Sequence, residues 1–145
     1  MVSHRSKGFT LIELVVVITI LGILAAFAVP RFAALEGQAR SASVQALEGS
    51  LRSAASLARG MAMASGNPPT VTMEGNVITL VNGYPNADTI DDALADTNGF
   101  AVAVSGGVAT FTRDGASNAA ECIVTYTPPA AANAAPTIAR DTDGC

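Results

Sequence analysis

The sequence predicts an α+β chain: one long N-terminal helix whose outer half packs on a small antiparallel β-sheet. Three observations predict it. An apolar run of helical length fills residues 9–29, and the stretch after Pro30 is apolar at steps of three and four. Beyond Pro69 the apolar period falls to two. A helix followed by a run of short strands buries its apolar stripe by layering against them.

The 145 residues are half hydrophobic and 14% charged, which excludes an intrinsically disordered chain and leaves room for one domain. The net charge of -4 has the wrong sign for a nucleic-acid binder, so no direct nucleic-acid partner is expected.

Residues 9–29 read FTLIELVVVITILGILAAFAV, with Glu13 the one ionisable group. At about 1.5 Å per residue this helix is roughly 31 Å long, close to the hydrocarbon thickness of a bilayer. Apolar side chains occupy every side of it, and a chain this small has no interior able to surround such a helix. The segment is therefore read as membrane-spanning. Arg5 and Lys7 precede it without an acidic residue, which keeps that end cytoplasmic and sends the rest outward. A cleaved secretory signal is the rival, but the run is too long for an ordinary signal core, and Ala25-Ala26-Phe27-Ala28 offers only a weak cleavage site. Glu13 costs about 2–3 kcal/mol within lipid. Either it is an acid tolerated near the interface, or it meets a positive partner after leaving the membrane; sequence physics leaves both open.

Gly8-Phe9-Thr10-Leu11-Ile12-Glu13, after a short basic leader and before an apolar run, resembles the processing site of type IV prepilins. Gly22 and Pro30 also stand where type IV pilins usually carry a Gly and a Pro. The resemblance covers about the first third of the chain. It implies a type IV pilin fold and a leader, residues 1–8, removed by a prepilin peptidase between Gly8 and Phe9, with N-methylation of the new Phe9 amine. Residues 9–29 then form the transmembrane and assembly helix, and residues 30–145 the periplasmic or extracellular head with the second half of the helix. Thr10 and Glu13 are expected to act in assembly, Glu13 facing the Phe9 amine of a neighbouring copy. Gly22 and Pro30 bound a stretch expected to loosen in the fibre; Pro30 favours a kink on local grounds too, lacking an N–H and crowding the carbonyl of residue 26. Val81-Asn82-Gly83-Tyr84-Pro85-Asn86-Ala87 looks like a segment of pilins of the mannose-sensitive haemagglutinin type, and its Asn-Gly and Tyr-Pro pairs place it in a loop.

After Pro30, Val44, Leu47, Leu51, Ala54, Ala58 and Met61 form one stripe, with Gln45, Glu48, Arg52, Ser56 and Arg59 expected on the opposite side. Glu36–Arg40 and Glu48–Arg52 are i,i+4 pairs in the favourable order. Gly37, Gly49 and Gly60 each cost about 0.5–1 kcal/mol against Ala; close packing, sequence drift or axial compliance would account for them. Gly66-Asn67-Pro68-Pro69 ends the helix. Strands are expected at 70–73 and 77–81 around Glu74-Gly75-Asn76. A short helix capped by Thr89 and Asp92 should run through Ala95 to Asn98-Gly99. A hairpin over 100–105 and 108–113 turns at Gly106-Gly107, a third strand follows at 122–127, and 128–136 is a Pro/Ala-rich loop.

Cys122 and Cys145 lie in the part expected outside the cytoplasm, where disulfides persist, and pilins resembling this one carry such a bond around a C-terminal D-region. No catalytic constellation or cofactor motif is found, so neither an enzyme nor a cofactor is expected: His4 is the one histidine, and it lies in the leader. Asp88, Asp91, Asp92 and Asp96, and Asp141 with Asp143, are read as helix-end and solvated acids rather than a calcium site. Phe9, Phe27 and Phe32 are too sparse to argue aromatic charge conduction.

The expectation is a structural subunit, the major one, of a type IV pilus used in attachment, formed as a helical homopolymer through its apolar helix. Its expected partners are its own copies, the prepilin peptidase, the inner-membrane pilus assembly machinery and, before assembly, the membrane. It would begin as a single-pass inner-membrane protein and end in an extracellular filament. The alternatives are a pseudopilin of a type II secretion system and a membrane-anchored binding module that never assembles.

Overall fold

A computed structural model describes residues 8–145. The expected leader cations Arg5 and Lys7, with His4, lie outside the described residues, as does all of the expected leader except Gly8. The chain divides into two compact units after Glu36. One helix, α1 (Leu11–Ala64), supplies the regular structure of the first unit and continues into the second, and its helical assignment runs through both Gly22 and Pro30.

In the first unit every large apolar side chain from Phe9 to Val29 is exposed, from Val15 at 45% to Leu11 at 80%. Thr19, inside this run, donates its hydroxyl to the Val15 carbonyl at 2.7 Å. That bond satisfies within the helix a polar group that lipid would leave without a partner.

The second unit contains the head. α1 closes with the Asn67 N–H donating to the Ala62 carbonyl at 2.7 Å and the Gly66 N–H to Met63. Gly66 sits at φ +80°, the left-handed position this closure requires, and Pro68 follows. Two antiparallel sheets come next. β1 (Thr70–Met73), β2 (Asn76–Val81) and β3 (Tyr84–Pro85) form the first, in that order. β4 (Phe100–Ser105), β5 (Val108–Arg113), β6 (Ile123–Thr127) and β7 (Thr137–Asp141) form the second. Three two-residue turns have positive φ at both positions: Glu74-Gly75, Asn82-Gly83 and Gly106-Gly107. This backbone matches the right-handed strand twist, which is why Gly recurs at the second place.

Two sheets replace the single one expected. Each claims its own length of helix. Val44, Leu47, Leu51 and Ala55 pack with Phe111, Val124 and Tyr126 of the second sheet. Further along, Ala54, Ala58 and Ala62 meet Val71, Met73 and Ile78 of the first. The helix's buried residues include Leu and Val in the first of these contacts and are all Ala in the second. The buried Tyr126 hydroxyl donates to the Pro85 carbonyl at 2.7 Å and so ties the sheets together, and burial raises its pKa.

Several local expectations change. The 81–87 segment is not a plain loop: Val81 pairs with Tyr84 and Leu80 with Pro85, so it is a hairpin turn and a short strand. Thr89 caps no α-helix. Its hydroxyl donates to Asn86 Oδ1 at 2.6 Å and accepts from the Thr79 N–H at 3.1 Å, and only a 3-10 turn at Asp91–Ala93 follows. β7 extends the second sheet beyond the expected strands, with Tyr126 opposite Ile138. Met61 is only half-buried. Glu48, expected on the outward side, is 9% exposed because Arg52 and Arg140 satisfy its carboxylate. A Cβ added at Gly49 or Gly60 meets nothing within 4 Å, and at Gly37 it makes an ordinary 3.7 Å contact with the Cys145 carbonyl. Close packing within the chain therefore does not explain these glycines.

Candidate processing and assembly site

Gly8, Phe9 and Thr10 precede the first helical residue, Leu11. A Cβ at Gly8 meets nothing within 4 Å, so its neighbourhood in the folded chain is open. Phe9 is 75% exposed. Thr10 occupies the N-cap position and Glu13 the third helical one. Glu13 Oε2 accepts from the Thr10 N–H at 2.9 Å and from the Thr10 hydroxyl at 2.7 Å, while the Glu13 N–H donates to Thr10 Oγ1 at 3.3 Å. This reciprocal arrangement is a capping box, which satisfies backbone donors that the helix leaves unpaired at its start.

The box uses one carboxylate oxygen. No described residue donates a hydrogen bond to Oε1. Phe9, Ile12, Val16 and Val17 join Glu13 around an open, mainly apolar groove of about 410 Å³. Thr10 and Glu13 are thus brought together. The sequence reading paired neither with the other, although Thr-x-x-Glu before an apolar run is the capping signature itself.

At the far end of the chain, Cys122 and Cys145 form a disulfide, with Cα atoms 4.9 Å apart and a sequence separation of 23. Cys122 is fully buried against the second sheet's core. The tail is fastened beside the bond as well: the Asn118 N–H donates to the Gly144 carbonyl at 2.9 Å, and the Gly144 N–H to Glu121 at 2.8 Å. Arg40 Nη1 donates to the Cys145 carbonyl at 2.8 Å. Two of the acidic side chains in the Asp-rich stretches accept local backbone bonds: Asp96 from the Asn98 N–H and Asp141 from the Asp143 N–H.

Residues 3–29 match the family model of the prokaryotic N-terminal methylation motif. The chain is 33% identical over 111 residues to a type IV major fimbrial protein FimA of Dichelobacter nodosus, an alignment covering 72% of this chain and 68% of the relative. The chain belongs to the type IV pilins. This pilin is also 57% identical over 54 residues to the type IV narrow pilus major component PilA5 of Thermus thermophilus, covering 37% of this chain and 47% of the relative. It is 55% identical over 44 residues to the type IV major pilin protein PilA of Myxococcus xanthus, covering 30% and 19%. The match thus spans about half the length of the Thermus relative and about a fifth of the Myxococcus one. No solved structure matches the pilin. The haemagglutinin subtype suggested by residues 81–87 does not figure in these relatives' names.

Proposed function

We propose that this pilin is a structural subunit of a type IV pilus, the major one, serving in surface attachment, and that it is not an enzyme. The observation that carries the reading is the apolar surface of residues 9–29, exposed on every side of a helix joined to a folded head that buries its own core. Such a surface needs an apolar environment outside its own chain, and lipid followed by other copies of the same helix supplies one. The relatives are pilus and fimbrial subunits, which weighs against a secretion pseudopilin.

Against water, each Leu, Ile, Val or Phe side chain buried among copies gains about 1.5–3 kcal/mol. Against lipid that gain nearly vanishes, because acyl chains are as apolar as a filament core. What favours leaving the membrane is then packing and the polar groups. Glu13 costs energy in lipid and has Oε1 available for the Phe9 amine of a neighbour, once a prepilin peptidase has cut after Gly8 and Phe9 has been N-methylated. The peptidase, the inner-membrane assembly machinery and the neighbouring copies are the partners. Residues 1–8 are the leader, residues 9–29 the assembly helix and residues 30–145 the exported head; Gly22 and Pro30 mark where the helix loosens in the fibre. The protein passes from the inner membrane to an extracellular filament.

Shearing cells and imaging the released material tests the reading. Filaments containing this chain with a methylated Phe9 N-terminus are expected. A Gly8→Trp variant should accumulate as a membrane precursor heavier by residues 1–8. Absence of the chain from sheared filaments, or normal cleavage of Gly8→Trp, would overturn it.

A further inference from the structure

Beyond assembly, the head contains a cavity of about 360 Å³ where the end of α1, the Asn82-Gly83 turn and the Pro/Ala-rich loop converge. Small-molecule sites begin at about 300 Å³. Its wall includes Arg59, whose guanidinium lies 5.5 Å from the centre of the Tyr84 ring and donates one long bond, 3.4 Å, to the Asn82 carbonyl. Among the described residues no carboxylate pairs with it. This half-buried guanidinium is held in place by uncharged groups. Gly83, at φ +83°, leaves the space beside it: any Cβ there would collide with Arg59 Nη1.

The rest of the wall complements that charge. Asn67 and Asn133, both exposed in the lining, have side-chain amides without a hydrogen-bond partner among the described residues. Pro68 and Pro69 add apolar surface to the lining. The Asn82 side chain donates to the Pro129 carbonyl at 2.8 Å, which fastens the loop and so fixes the cavity's outline.

We propose that this cavity binds a carboxylated sugar. The planar fork of Arg59 matches a carboxylate in two-bond geometry. The two free amides both donate and accept, as ring hydroxyls require. The proline surface suits the C–H face of a pyranose. A single cation in a chain of net charge -4 fits a monoanion better than a polyphosphate. The proposal goes beyond the pilus reading and does not rest on it.

The test is saturation-transfer NMR on the full-length chain in detergent micelles, and on filaments where they form, with D-glucuronate, D-glucose and inorganic sulfate as probes. Glucuronate should bind at millimolar concentration and glucose at least tenfold more weakly, with sulfate failing to displace glucuronate at equal concentration. Arg59→Gln should weaken glucuronate at least tenfold, and Asn133→Gly, which removes the amide at an exposed loop position whose φ of 65° glycine adopts freely, about threefold. No glucuronate signal, equal binding of glucose, full displacement by sulfate, or unchanged binding in both variants would overturn the assignment. So would binding by micellar subunits but not by filaments, which would give the cavity to an acidic side chain of a neighbouring copy.

Discussion

The two halves of α1 are both rich in apolar residues, yet they spend them differently. Up to Val29 every large apolar side chain is exposed; from Val44 onward one stripe is buried and its opposite face remains in water. The pattern explains the difference. In the first half Leu, Ile and Val occupy consecutive positions all round, so no single neighbouring layer can cover them. In the second half they recur at three and four, and two sheets suffice. The first half therefore contributes little to the stability of the chain alone, while the second holds the fold together. Folding and assembly should be separable by mutation.

The largest expected effect tests the first half alone. Glu13→Leu should leave the head's stability unchanged yet remove the charge available to a neighbour's amine, a loss of about 3–5 kcal/mol per contact. Processed membrane subunits with few filaments are expected, read by shearing and microscopy. Glu13→Gln separates the two roles of the residue. Gln can close the capping box with Thr10, so if capping is all that Glu13 does, this variant assembles normally. Sparse filaments in both variants support the paired charge.

Next comes a matched pair of truncations. Leu51 is fully buried and Leu21 is 58% exposed. Leu51→Ala should destabilise the head by about 2–5 kcal/mol. Leu21→Ala should leave thermal unfolding of the full chain in detergent where it was, while altering filament yield. Equal losses of head stability would erase the distinction between the halves.

The disulfide belongs wholly to the second half's territory. Cys122→Ser should cost about 3 kcal/mol, from the loop entropy the cross-link removes plus a polar hydroxyl in a buried place. Membrane insertion should be unaffected. A melting temperature indifferent to reductant would show that the fastening around Gly144 is sufficient without the bond.

Legibility followed the same division. The apolar run, the helix end at Gly66 and the 100–113 hairpin could all be read because each is a local pattern with one physical solution, whereas the cystine was legible through the expected compartment and the family resemblance. The cap was read in the wrong place. Thr89 and Asp92 match a loosened form of the signature, but Asn86 and Thr79 capture the Thr89 hydroxyl. The true box is Thr10 with Glu13, a signature hidden by the apolar run around it, where lipid and a paired charge already account for an acid. The second sheet and β7 depend on pairings between distant segments, which periodicity does not encode. Glu48 was misplaced for the same reason: its partner Arg140 lies on β7, and an outward position by helical count became a covered one.

Glu48 also gives the smallest effect and the finest test. Hydrogen bonds from Arg52 and then Arg140 hold its carboxyl below the ordinary value of 4.5. Beneath that value the unfolded chain binds a proton at this position while the folded chain still does not, so acid favours unfolding. The stabilisation is complete above 4.5 and is lost as pH falls toward the lower folded value. Both arginines are about half exposed, so solvent screens the network and its worth at neutral pH is about 1 kcal/mol or less. Glu48→Gln should therefore lower the melting temperature only slightly at pH 7 and flatten its decline as pH falls below 4.5. Residue 138 provides the local readout, since Arg52 Nη2 also donates to the Ile138 carbonyl at 3.2 Å and so links the helix to β7. Hydrogen exchange at 137–141 should quicken in the variant while the run before Val29 is untouched. Equal quickening in both stretches would mean that the charge network couples the two halves of α1 rather than serving the head alone.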